Sequence, residues 1–163
     1  MKYLSIIALL LYISACSLRP KVKTGYEGKL MPSFELLMAD SITRFNTASI
    51  PSGKPIVLFS FEPWCPYCRA QTEDLVSHIQ SMKDINFYML CDAPFPDFKN
   101  FYDHYELKKY PNMHAGVDDN LFFAQYFKTN QIPYLAVYDK QKKLKQVLIG
   151  KTDLNIIKKI ASE

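Results

Sequence analysis

The sequence predicts one α/β domain, a central mixed sheet with helices on both faces. Three observations carry this. Ile56-Val57-Leu58-Phe59-Ser60-Phe61 is a short continuous apolar run, which reads as a strand buried on both sides. Over Pro66 to Met82 the pattern changes to helical period, with Leu75, Val76, Ile79 and Met82 on one face and Glu73, Asp74, Gln80 and Lys83 elsewhere. Strands and helices then alternate until the chain closes on a hairpin and a helix, a pattern that builds a sheet with helices packed on it.

The remaining elements follow in order. Phe34–Leu37 and Ile42–Phe45 are apolar stretches separated by Ala39-Asp40-Ser41, which predicts an N-terminal hairpin. Pro51 to Pro55 is a loop. Ile85 to Leu90 is a second strand. Pro96 to Leu107 is a helix with Phe98, Phe101, Tyr102 and Tyr105 as its apolar side, and Leu121 to Phe127 is a shorter one. Leu135 to Tyr138 pairs with Lys145 to Ile149 across Asp139 to Lys143. Thr152 caps a final helix carrying Leu154, Ile156, Ile157 and Ile160.

A chain of 163 residues, 48% apolar and 22% charged, buries a core without needing disulfide staples. Its net charge of +4 is spread along the chain, without the dense basic stripe that nucleic-acid binding requires.

The N-terminus carries an address. Lys2 precedes an apolar run, Tyr3 to Ile13, too short to span a bilayer but suited to the core of a signal peptide. Ile13-Ser14-Ala15-Cys16 ends it and resembles the lipobox of bacterial lipoproteins, in which small residues precede the cysteine that is lipidated. The expected organisation is a signal peptide over 1–15, lipidated Cys16 with a tether over 16–30, and a domain over 31–163. Several acyl chains on Cys16 hold a protein stably at a membrane. The expected place is the bacterial cell envelope, facing the periplasm, where disulfides persist.

Of the other cysteines, Cys65 and Cys68 form a C-x-x-C that directly follows the buried strand and opens a helix. A helix N-terminus presents unpaired N–H groups and a positive dipole end, so a thiolate at Cys65 is favoured. Pro66 suits the first turn, where its missing N–H is not needed. Cys68 lies one turn on, as the more buried thiol that resolves a mixed disulfide. A structural bridge across so small a loop stabilises little. Zinc needs two more ligands, and Cys91, His104 and His114 are scattered; haem attachment needs His where Arg69 stands. No metal or cofactor is expected. Cys91 reads as a buried apolar thiol.

Phe61-Glu62-Pro63-Trp64-Cys65-Pro66-Tyr67-Cys68 resembles the active site of the thioredoxin superfamily. Ile132-Pro133-Tyr134 resembles that superfamily's cis-proline loop, and Gly150 falls where it carries a Gly after the last strand. The segment inserted before the cis-Pro loop, with Met31-Pro32-Ser33-Phe34 upstream, is similar to the TlpA/ResA group of membrane-tethered thioredoxins. The resemblance implies a thioredoxin-like fold, a cis bond at Ile132-Pro133, and a docking rim of Trp64, Tyr67, Ile132 and Tyr134. It implies thiol-disulfide oxidoreductase activity on protein disulfides or dithiols, with reduction favoured and a membrane or periplasmic redox donor.

The chain departs from the family at two positions. Phe59 stands where thioredoxins carry a buried acid, and Gln71 where the TlpA/ResA group carries Glu. Glu62 is the nearest remaining carboxylate in sequence and the candidate for their proton-moving role. The alternatives are a binding or scaffold lipoprotein without turnover and a peroxiredoxin-like peroxidase. The peroxidase is disfavoured, because Leu58 and Glu62 stand where Pro-x-x-x-(Thr/Ser)-x-x-Cys requires Pro and Thr or Ser.

Overall fold

A seven-stranded mixed sheet organises the computed structural model, which describes residues 22–163. The expected signal segment and Cys16 lie outside the described residues. β1 (Glu35–Met38) and β2 (Arg44–Asn46) form the expected N-terminal hairpin. β3 (Ile56–Phe61) is buried at every residue, as its apolar run requires. It lies between β4 (Asn86–Cys91), parallel to it, and β6 (Tyr134–Tyr138), antiparallel. β7 (Leu144–Ile149) pairs with β6 and closes that side.

Between β4 and β1 runs a strand that the sequence pattern does not reveal, β5 (Met113–Val117). Met-His-Ala-Gly-Val has little strand propensity. It is held parallel to β4 and antiparallel to β1 by pairing on both sides. Gly116 suits this position, because a Cβ would lie 3.0 Å from Leu36 Cβ and 3.0 Å from the Leu37 carbonyl oxygen, tighter than side chains ordinarily pack.

Helices cover both faces, as expected. α1 (Pro66–Ser77), α2 (Phe95–His104) and α4 (Leu154–Ser162) share one core cluster with Val57, Phe59, Phe61, Met89 and Cys91. α3 (Phe122–Phe127) packs on the opposite face with Leu58, Leu90, Tyr134 and Tyr138.

Several boundaries move. The first helix ends at Ser77, not Met82: His78 leaves helical geometry, and Ile79–Met82 continue as a 3-10 turn. α2 stops before Leu107, because Glu106 turns left-handed at φ 49°. The last helix is capped by Asp153, whose side chain accepts the Asn155 N–H at 2.7 Å, while the Thr152 hydroxyl donates to the Gly150 carbonyl.

The expected tether also changes. Val22 and Leu30 form bridges to Val147 and Lys143 of the terminal hairpin. The Gly28 N–H donates to the Leu144 carbonyl at 2.7 Å, and the Leu144 N–H to the Lys29 carbonyl at 2.9 Å. Tyr26 packs its ring 4.5 Å from that of Tyr126. Residues 22–30 are therefore part of the domain, satisfying hydrogen-bonding groups along β7 that an open sheet edge leaves unpaired.

Candidate active site

Cys65 is the N-cap of α1, with extended backbone at φ −68°, ψ 117°. Its Sγ accepts the Cys68 N–H at 3.3 Å, so the sulfur lies against the orphan donors of the first turn. Pro66 occupies that first turn at no hydrogen-bonding cost. The Cys65 N–H donates to the Glu62 carbonyl at 3.2 Å, which closes the loop joining β3 to α1. Cys65 keeps 9% of its surface and Cys68 none, so the two thiols differ in access as expected. Burial drives the Cys68 thiol far above its ordinary range and the neighbouring Cys65 sulfur pushes the same way; a hydrogen bond with the Glu62 backbone opposes them, and the Glu62 charge adds a smaller upward push.

The Ile132–Pro133 bond is cis. Register places it at the site: Tyr134 pairs with Ser60, so Pro133 stands beside Phe61, where the Glu62–Cys65 loop leaves the sheet. Ile132 packs against the cluster that contains both cysteines. Gly150, at φ 79°, donates its N–H to the Pro133 carbonyl at 2.8 Å. Trp64 and Tyr67 stand free at 58% and 65% exposure. Tyr134 does not join them: it is buried on the opposite face, against Phe123 and Phe127, because its place in β6 turns it away.

Beside Trp64 runs a groove of about 370 Å³ lined by Pro63, Arg69, Asp97, Phe101 and His104. Helix α2 supplies its far wall, which sequence spacing does not reveal.

Neither departure from the family pattern is compensated in place. Phe59 is buried in the core. Gln71 is fully buried; its Oε1 accepts the Thr152 N–H at 2.7 Å, and its Nε2 has no partner among the described residues. Glu62 is half-buried beside the dithiol. Cys91 is buried in β4, and burial pushes its thiol up to about 12. Sequence reasoning passes over Asp92, whose signal is only its place at the carboxyl end of a parallel strand. Among the described residues no group of three or more His, Cys, Asp or Glu is arranged to hold a metal, and no helix is long and apolar enough to cross a membrane.

The fold and this dithiol corner define the class, a thioredoxin-like α/β protein. A profile of the AhpC/TSA family matches residues 28–151, and the chain belongs to that family. No curated protein matches it in sequence. Among solved structures it is similar to DsbF of Mycobacterium tuberculosis, with 22% identity, TM-score 0.65, and coverage of 78% of this chain and 92% of that one. It is similar to the exposed lipoprotein thioredoxin of Streptococcus pneumoniae, with 22% identity, TM-score 0.63, and coverage of 79% and 98%. The thioredoxin domain of a thiol-disulfide oxidoreductase from Bacteroides vulgatus gives 18% identity, TM-score 0.66, and coverage of 83% and 97%.

Proposed function

We propose that this chain is an exported, membrane-anchored thiol-disulfide oxidoreductase that reduces protein disulfides with Cys65 and Cys68. One observation carries the reading: the Cys65 sulfur caps α1, and a fully buried thiol lies one turn behind it. The Cys65 thiolate attacks a substrate disulfide, forming a mixed disulfide and releasing one substrate thiolate, which takes a proton. Cys68 gives up its proton and attacks the Cys65 sulfur. The Cys65–Cys68 bond forms, the second substrate thiolate leaves and is protonated, and two electrons have passed to the substrate. A membrane or periplasmic donor of two electrons returns the pair to the dithiol.

Trp64, Tyr67 and Ile132 form the docking surface around Cys65. The free backbone before Pro133 offers one strand-like contact to an extended substrate. Cys16 holds the lipid, following the lipobox-like Ile13-Ser14-Ala15-Cys16. The name of the streptococcal neighbour, a lipoprotein thioredoxin, agrees with that address.

The test is equilibration of the purified dithiol against a glutathione buffer, with insulin reduction as readout. Cys68→Ser should accumulate mixed disulfides on Cys65, and Cys65→Ser should not. A dithiol that neither equilibrates nor reduces or oxidises any substrate sinks the enzyme reading in favour of a scaffold. Family membership makes a peroxidase the competing chemistry, but Leu58 and Glu62 deny Cys65 the peroxidatic pocket. Peroxide consumption at a rate above that of free thiols would reverse that choice.

A further inference from the structure

The buried thiol at Cys68 must lose a proton before it can resolve a mixed disulfide, yet Phe59 and Gln71 provide no carboxylate at the family's positions. The sheet supplies acids elsewhere. β3, β4 and β5 are parallel and in register at their carboxyl ends: Phe61 faces Cys91, and Cys91 faces Val117. The next residue in each is an acid, Glu62, Asp92 and Asp118. The three acids thus stand at neighbouring strand ends, at the end of the sheet where the dithiol sits.

They are not equivalent. Asp118 is already engaged: its two oxygens accept the Phe122 and Phe123 N–H groups at 3.0 and 2.8 Å, capping α3. Asp92 has no such role. Its Oδ1 is fully buried with no hydrogen-bond partner among the described residues. A buried carboxylate oxygen without a donor is costly, and a proton relieves the cost. Burial, then the Glu62 charge, raise the Asp92 carboxyl to about 6; Asp118 adds to this, and only a hydrogen bond from its own backbone opposes. Glu62 is the shared neighbour. Its charge acts on Cys68, on Cys91 and on Asp92 alike. The other acids whose charge reaches Cys91 are Asp92 itself and Asp97 of α2.

We propose that Glu62 and Asp92 work as one proton-sharing carboxyl pair, in which Glu62 takes the Cys68 proton during resolution and Asp92, a positioning residue acting through Glu62, retains it. The inference rests on the dithiol-exchange reading above. In the resolving step the S–H bond of Cys68 breaks, its proton goes to the pair, and its electron pair forms the bond to the Cys65 sulfur. The departing substrate thiolate is protonated from water, and the pair then releases its proton to water. Burial and then the neighbouring Glu62 charge favour a proton on Asp92, which brings that carboxyl closer to neutral pH than an ordinary one. A base so tuned is better matched to a thiol than a lone Glu.

The test is stopped-flow release of a fluorescent peptide from the Cys65 mixed disulfide, measured from pH 5 to 9 on the full domain. The wild-type rate should show an inflection near pH 6, the range of Asp92. Asp92→Asn should slow release about tenfold at pH 7 and move that inflection toward the ordinary carboxylate range. It should leave Cys65 alkylation within about twofold of wild type, since the attacking thiol is untouched. Glu62→Gln combined with Asp92→Asn should be no slower than Glu62→Gln alone, because the partners act as a unit. An Asp92→Asn profile parallel to wild type, or strictly additive losses, overturns the pair while leaving dithiol exchange standing. Absence of wild-type exchange fails the parent reading instead. Should a variant not fold, carboxyl-carbon NMR titration of the wild-type protein decides. Coupled two-step titration of Glu62 and Asp92 supports the pair, and independent single-step curves overturn it.

Discussion

Gln71 Oε1 accepts the backbone N–H of Thr152 at 2.7 Å, inside the core and across 81 positions of sequence. The bond fixes α1 to the turn that follows β7, and from that turn the Gly150 N–H reaches the Pro133 carbonyl. A side chain at a position expected to hold a proton-moving acid thus works as a structural tie between the dithiol helix and the loop beside it. Gln71→Ala leaves the Thr152 N–H unpaired and opens a cavity. It should cost about 2–3 kcal/mol in urea unfolding. An unchanged midpoint would mean that the tie contributes nothing.

Thiol access separates the three described cysteines. Iodoacetamide at pH 7 should modify Cys65 alone in the reduced native protein. Cys68 and Cys91 are fully buried and their thiols are driven upward by that burial, Cys91 to about 12. Both should react only after denaturation. Peptide mapping that finds Cys68 labelled first reverses the assignment of nucleophile and resolving thiol.

Asp92 carries a stability signature of its own. A carboxyl that binds its proton more tightly folded than unfolded adds stability below its unfolded value and loses it as pH rises through the folded one. For Asp92 that window runs from 3.8 to about 6. Asp92→Asn should therefore be more stable than wild type at pH 7, by about 1–2 kcal/mol after allowance for solvent screening. The difference should vanish below pH 4. Gained stability with slowed resolution is the trade expected of a functional group held in an unfavourable place. Equal pH dependence of unfolding in the two proteins would remove it.

Gly116 lies at a tight contact between β5 and β1, where an added Cβ meets backbone and side chain at 3.0 Å. Gly116→Val should cost about 3 kcal/mol and loosen the β1–β2 hairpin first. Amide exchange would show this as lost protection at Leu37 and Met38, whose register partners are Val117 and Gly116.

Trp64 is an exposed large apolar side chain beside the nucleophile. Trp64→Ala should leave stability within about 0.5 kcal/mol, because little packing is lost. It should slow insulin reduction roughly tenfold while leaving equilibration with glutathione nearly unchanged, since only the larger substrate needs the rim. Equal losses with both substrates would place Trp64 in the chemistry instead of the docking.

Legibility in the sequence varied with the range of the interaction. The buried run Ile56–Phe61, the helix opened by Pro66 and the terminal hairpin are local patterns, and the fold follows them closely. β5 was not legible, since Met113–Val117 becomes a strand only because partners on both sides supply its hydrogen bonds. Residues 22–30 looked like a tether because they have no period of their own; their order comes from the free edge of β7. Tyr134 stands next to Pro133 in sequence, yet strand alternation sends it to the opposite face from the dithiol.

The sequence by itself determined the α/β alternation, the dithiol at the start of a helix, and the loss of carboxylates at Phe59 and Gln71. Each is a matter of residue type at a spacing, and spacing along one element is set by backbone geometry alone. Only the tertiary structure decided that Glu62 and Asp92, 30 positions apart, stand at neighbouring strand ends. It alone decided that Gln71 meets Thr152 and that α2 walls a groove beside Trp64. Those juxtapositions depend on parallel register and helix packing, which no stretch of chain specifies without its partners.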